Sequence, residues 1–189
     1  DEFNRTGQRR EDRLGPETGF STASLVRMET ATLLEEIDRV MPMVQKPPGR
    51  SVMFHESGCL QCEDVRSDLE HFTEPSLPDE AIRYLHNDMS CLSAAGWRWA
   101  LPSCLKRCIT QDLHDPIETE FLIYNLAPSE KHKAESEQRL SKLSLEQLDC
   151  LVHFIEWCKE HPHWSEYCSE EIPMAFEFLN SVKESRDAT

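Results

Sequence analysis

The stretch that decides the fold is Ser93 to Ile109, SAAGWRWALPSCLKRCI. Trp97, Leu101, Cys104, Leu105 and Cys108 recur at three- and four-residue intervals, which puts them on one stripe of an α-helix. Thiols on such a stripe act as small hydrophobes, so Cys104 and Cys108 are expected buried and unbridged. Pro102 lacks an N–H and crowds the preceding turn, so a kink or two shorter helices are expected there. Trp97 and Trp99 point about 200° apart on an ideal helix, so at least one of them belongs in the core.

Downstream, the punctuation is also helical. Asp115-Pro116-Ile117-Glu118 has an N-cap residue, a proline at the first helical position and an acid at the third. Its helix carries Ile117, Phe121 and Tyr124 and ends before Pro128. Residues 129–139 are highly charged and read as exposed. Ser144-Leu145-Glu146-Gln147 is a second capping signature, opening a helix with Leu145, Leu148, Leu151, Val152 and Ile155 on one face, closed at His161-Pro162. A last helix over about 172–184 uses Ile172, Phe176 and Leu179.

Upstream, Ser76-Leu77-Pro78-Asp79 predicts a helix start with Ser76 as cap and Pro78 in the first turn, running to about Tyr84 or Leu85. Val65, Leu69 and Phe72 mark a helix after Cys62, stopped by Pro75. Ser51-Val52-Met53-Phe54 is the best strand candidate, and it is short. Ser21 or Thr22 caps a helix over roughly 24–41 that buries Leu25, Met28, Leu33 or Leu34, Ile37 and Val40. Residues 1–20, broken by Gly7, Gly15, Pro16 and Gly19, read as a tail. The expectation is mainly α: residues 21–189 as a single compact domain of six or seven helices with at most a minor short strand.

The run Leu85 to Leu105 joins two later segments in a recurring order. Trp97-Arg98-Trp99-Ala100-Leu101-Pro102 is followed by Asp115-Pro116-Ile117-Glu118 through Asn125-Leu126-Ala127-Pro128, and then by Leu143-Ser144-Leu145-Glu146-Gln147. This order resembles a family of small bacterial helical proteins of unknown function, some with a Cys-bearing turn upstream like that from Cys59 to Cys62. The resemblance spans roughly residues 55–158. It implies a helical fold and supplies no activity, because packing and capping residues carry it.

The chain has 35 acidic and 20 basic residues among 189, a formal net charge of −15. Such a field repels phosphate backbones and anionic lipid, so neither nucleic acid nor membrane is an expected partner, whereas a basic protein is compatible. No apolar run reaches the roughly 20 residues needed to span a bilayer. The start, Asp1 to Arg5, has no hydrophobic signal core behind it. Eight cysteines in a chain this long are read as reduced thiols in a cytoplasmic setting.

One spacing carries chemistry. His55-x3-Cys59-x2-Cys62 offers two thiolates and an imidazole to a metal, zinc above all. A structural zinc site needs a fourth ligand, and His71, His86 or a later cysteine are all open. The same turn also allows a thiol-redox site or two ordinary thiols at a helix start. His161 and His163 flank a proline and form a weaker metal candidate. GxSxG, P-loop, HExxH and GxGxxG signatures are absent.

The acids concentrate between Glu56 and Asp88 and again between Glu146 and Glu177. The leading functional expectation is therefore a non-enzymatic acidic protein that binds a basic protein partner, as an immunity protein neutralises a bacterial toxin. Glu63, Asp64, Asp68, Glu166, Glu170 and Glu171 are the candidate contact residues. The alternative is a metal-binding or thiol-redox domain centred on His55, Cys59 and Cys62.

Overall fold

A computed structural model describes residues 29–55, 57–111 and 117–187. The expected tail over 1–20, the first residues of the helix expected over 24–41, and Asp115-Pro116 lie outside that set. Helix makes up 73% of the described residues, which bears out the mainly-α expectation and a single compact helical domain. Among the described residues there are nine α-helices: α1 Thr30–Val40, α2 Leu60–Asp68, α3 Asp79–Leu85, α4 Ala94–Thr110, α5 Ile117–Leu126, α6 Lys133–Leu140, α7 Leu145–Glu160, α8 Pro162–Tyr167 and α9 Glu171–Asp187. They outnumber the six or seven foreseen partly because 133–140 and 162–167 form short helices of their own.

Helix α4 runs through the middle and packs against α1, α3, α5 and α6. Ser93 caps it, accepting from the Gly96 amide at 3.1 Å. Both tryptophans are buried, beyond the minimum of one, because partners surround α4 on several sides. Each indole also finds an acceptor: Trp97 Nε1 donates to the Met89 carbonyl at 2.9 Å, and Trp99 Nε1 to the Glu74 carbonyl at 3.0 Å. A buried N–H left unpaired would cost about 1–3 kcal/mol. Pro102 lies inside one continuous helix instead of dividing it. The carbonyl whose i+4 donor it removes is that of Arg98, the exposed position of this run, where water can satisfy it.

Helix α7 opens with the foreseen capping box. Ser144 Oγ accepts from the Gln147 amide at 3.2 Å, and Gln147 Oε1 accepts from the Ser144 amide at 3.0 Å. The buried Gln147 side chain also donates from Nε2 to the Val40 carbonyl at 3.0 Å, so the cap of α7 ties down the end of α1. Farther along, Glu36 pairs with His153 at 2.8 Å and Trp157 Nε1 donates to Thr30 Oγ1 at 3.2 Å. Helix α9 packs on α7 and α5 through Ile172, Ala175, Phe178, Leu179 and Val182.

Several local expectations are corrected. Pro78, not Ser76, occupies the N-cap of α3. Phe176, Tyr124 and Leu145 are exposed, and α9 buries Phe178 in place of Phe176. The charged stretch 129–139 is not wholly at the surface, since Ser136 and Arg139 are buried. The strand at 51–54 is a 3-10 turn, Gly49–Val52, followed by one isolated antiparallel bridge, Met53 with Leu92.

All eight cysteines are free, and all but Cys59 are buried. Burial pushes the Cys104 thiol up to about 12 and raises Cys108 and Cys158 as well. The unfolded chain releases such thiol protons near pH 8.5. These groups therefore stabilise the fold fully below that pH, and the contribution is lost as pH rises from there toward the folded value. Each fully retained proton gives a slope of about 1.4 kcal/mol per pH unit. Denaturant midpoints measured from about pH 7 to about pH 10.5 should hold steady and then fall above about pH 8.5. A midpoint independent of pH across that range would contradict this placement of the thiols.

Candidate metal centre

The site begins at the Met53–Leu92 bridge. Ser93 N donates to the Val52 carbonyl at 3.0 Å and Phe54 N to the Cys91 carbonyl at 2.7 Å, so residues 52–54 and 91–93 run side by side. Gly96, in the first turn of α4, makes this approach possible. A Cβ there would drive into the Val52 carbonyl oxygen and crowd Leu92. After the bridge the chain turns at Gly58, whose φ of +81° strains any residue with a side chain. It then enters α2 with Cys59 as N-cap, whose sulfur accepts from the Cys62 amide at 3.4 Å.

This path brings the three residues of the sequence motif together. One ligand atom each from His55, Cys59 and Cys62 lies within 4.8 Å of the others. His55 Nδ1 is 3.4 Å from Cys62 Sγ. His55 is exposed, Cys59 half-buried and Cys62 buried, so the cluster runs from surface to interior. Burial pushes the Cys62 thiol up and the Cys59 thiol adds to this, while the His55 backbone and Cys91 pull the other way.

Cys91 is the residue that sequence reasoning did not single out. It closes a 3-10 turn, Met89–Cys91, and is buried beside the motif. Its carbonyl is 3.9 Å from Cys62 Sγ, although its own sulfur is not in the 4.8 Å group. Burial, with the Cys62 contact next in weight, pushes Cys91 up to about 12. No local spacing marks it, because it lies 29 residues beyond Cys62 and arrives through the bridge.

A polar pocket of about 400 Å³ opens over the cluster, lined by His55, Cys59, Cys91, Tyr124, His132 and Arg139 among others. The Arg139 guanidinium sits 4.4 Å over the Phe54 ring, donates from Nε to the Ser90 carbonyl at 2.9 Å, and reaches Glu135 at 3.4 Å. His71 and His86 do not join the cluster, and neither do His161 and His163. His161 caps α7 and α8 on their facing ends, and His163 stacks on Tyr167.

The candidate acidic residues are distributed differently. Asp64, Asp68, Glu166 and Glu170 are exposed, whereas Glu63 and Glu171 are half-buried. Arg50 and Arg66 pair with Glu63 and lower its pKa, the Arg66 hydrogen bond contributing most. The two stretches rest on elements with different packing partners: α2 on α3, but α8 and α9 on α7 and α5.

Against known proteins, the sequence model of a family of unknown function (DUF6714) matches residues 61–170. No curated protein and no solved structure matches the chain. The matched span begins within the Cys59–Cys62 turn and holds Cys62, Cys91 and Arg139, while His55 and Cys59 precede it.

The burial order predicts a chemical order. Maleimide added to the native protein should modify Cys59 first, and should leave Cys104, Cys108 and Cys150 unmodified until denaturant is added. Gly96→Ala should push the bridge apart, destabilise the fold by about 1–3 kcal/mol as overpacking does, and speed modification of Cys62. Peptide mapping of the labelled protein reads all three, and equal labelling of Cys62 in Gly96→Ala and wild type would show that Gly96 does not hold the site closed.

Proposed function

As the chain belongs to this family of unknown function, we propose a role for it from its own side chains: it is a metal-binding domain in which His55, Cys59 and Cys62 hold zinc. The observation that carries this reading is the convergence of three ligand atoms of zinc-preferring type within 4.8 Å of one another. Each reaches the site by a different local device. His55 follows the bridge, Cys59 is the N-cap of α2, and Cys62 sits on the buried face of its first turn. A cytoplasmic setting, where thiols stay reduced, belongs to the same proposal. A thioredoxin-like redox site is less well supported, because such a site is built on a sheet and the described residues contain one isolated bridge.

The test is zinc retention. Protein stripped with a chelator and reloaded should hold one zinc per chain by native mass spectrometry. Cys59→Ser and Cys62→Ser should each abolish this, and His55→Ala should weaken it. Affinity should fall with falling pH, because each thiolate ligand must give up its proton before it binds. Wild-type protein that holds no zinc against a weak competing chelator would end this reading.

A second reading has its own observation. Asp64, Asp68, Glu166 and Glu170 are exposed and form no ion pair among the described residues, which leaves their field to steer a basic protein partner, a bacterial toxin in the concrete version. Added salt should then slow association, since screening acts over about 10 Å at 0.1 M ionic strength. Reversing Asp64 and Asp68 to Lys, or Glu166 and Glu170, should slow it further without unfolding the protein. Surface plasmon resonance on any captured basic partner measures this, and association rates unchanged by both reversals would reduce the acids to a solubility feature.

A further inference from the structure

We propose that Cys91 is the fourth ligand of this metal, making the site a closed Cys3His centre with Arg139 as its counter-charge. The inference rests on the metal reading above and extends it to coordination number and role. Zinc held by protein alone is almost always four-coordinate and tetrahedral. The sequence motif supplies three ligands and leaves the fourth open among two histidines and the later cysteines.

The fold favours one of these. His71 and His86 lie outside both the 4.8 Å group and the pocket above it, whereas Cys91, also outside that group, lines the pocket. Cys104, Cys108, Cys150, Cys158 and Cys168 are buried on α4, α7 and the turn before α9. Cys91 alone of the later cysteines lines the pocket with His55 and Cys59. Its carbonyl is 3.9 Å from Cys62 Sγ. The bridge fixes its backbone, because Phe54 N donates to the Cys91 carbonyl at 2.7 Å and Leu92 pairs with Met53. The ligands therefore come from both sides of one clasp: His55 just past its first arm, Cys59 and Cys62 from the helix that follows, Cys91 on its second arm.

Charge supports the same assignment. A divalent ion with three thiolates carries one net negative charge, and a buried net charge needs a partner. Arg139 supplies the matching positive charge. Its side chain is 8% exposed, is held over Phe54, and donates to the carbonyl of Ser90, the residue before Cys91. Glu135 faces the same guanidinium at 3.4 Å but is half-exposed and partly screened by solvent. His132 lines the same pocket and faces Glu135 at 3.9 Å.

Zinc-edge X-ray absorption on the zinc-loaded wild type decides the ligand count without any substitution. Three sulfurs at about 2.3 Å and one nitrogen at about 2.0 Å are expected. Two sulfurs would overturn Cys91 as a ligand while leaving the three-residue site standing, and a chain that holds no zinc would remove both. Cys91→Ser should lower zinc affinity by at least about 100-fold, more than loss of an outer partner does, and should reduce the count to two sulfurs. Zinc affinity equal to wild type in Cys91→Ser would also overturn the proposal, and if that variant fails to fold the wild-type spectrum still decides. Arg139→Gln should keep three sulfurs and weaken zinc about 10–100-fold, as removal of an outer-shell partner does. An unchanged affinity in Arg139→Gln would overturn the counter-charge role.

Discussion

The closest constraint in this structure is the clasp between residues 52–54 and 91–93, pressed against a glycine. Two backbone hydrogen bonds join these segments, and they hold only because Gly96 presents no side chain to the Val52 carbonyl. On one side the clasp starts α4, since Ser93 both donates its amide to Val52 and caps the helix. On the other it sets the turn through Gly58 into α2. The central helix and the thiol cluster thus share one origin. A shift of the clasp would move the start of the core and the His55–Cys59–Cys62 group together.

The helical core was legible because it depends on local periodicity. The stripe of Trp97, Leu101, Cys104, Leu105 and Cys108 and the Ser144–Gln147 capping box are written in consecutive turns, and both stand as read. The misreadings have a common cause. A helical-wheel argument assumes one buried face, and α4 is covered on several, so Trp97 and Trp99 are both interior. Phe176 and Tyr124 err in the opposite direction, since their helices turn other residues inward. Pro78 could displace Ser76 as the cap of α3 because an N-cap needs extended backbone, which proline supplies at ψ 161° without any side-chain hydrogen bond.

The candidate site was half legible for the same reason. His55, Cys59 and Cys62 lie within eight residues, so their spacing alone places them near one another. Cys91 is non-local, and what brings it in is a single bridge that no propensity marks. The signal that could have pointed to it is indirect. Gly96 sits in the first turn of an otherwise bulky helix, where a glycine weakens the helix unless another backbone must pass close by. Val52 is that backbone, and Cys91 opens the segment that pairs with it.

Two of the candidate metal ligands and two of the candidate contact acids lie on or beside one short helix. Over its nine residues α2 turns Cys62 and Val65 inward, with Leu69 buried just after its end, while Asp64 and Asp68 face solvent. That inward face is small. Two buried side chains and a following leucine give little apolar area to hold a helix whose outer face carries like charges four residues apart, a destabilising spacing. Arg50 and Arg66 both pair with Glu63 on the same helix. A metal bound at Cys59 and Cys62 would grip α2 at its N-cap and first turn. On this argument the ion would serve less to perform chemistry than to hold a charged helix in place, and the two readings of the sequence would describe opposite faces of the same element.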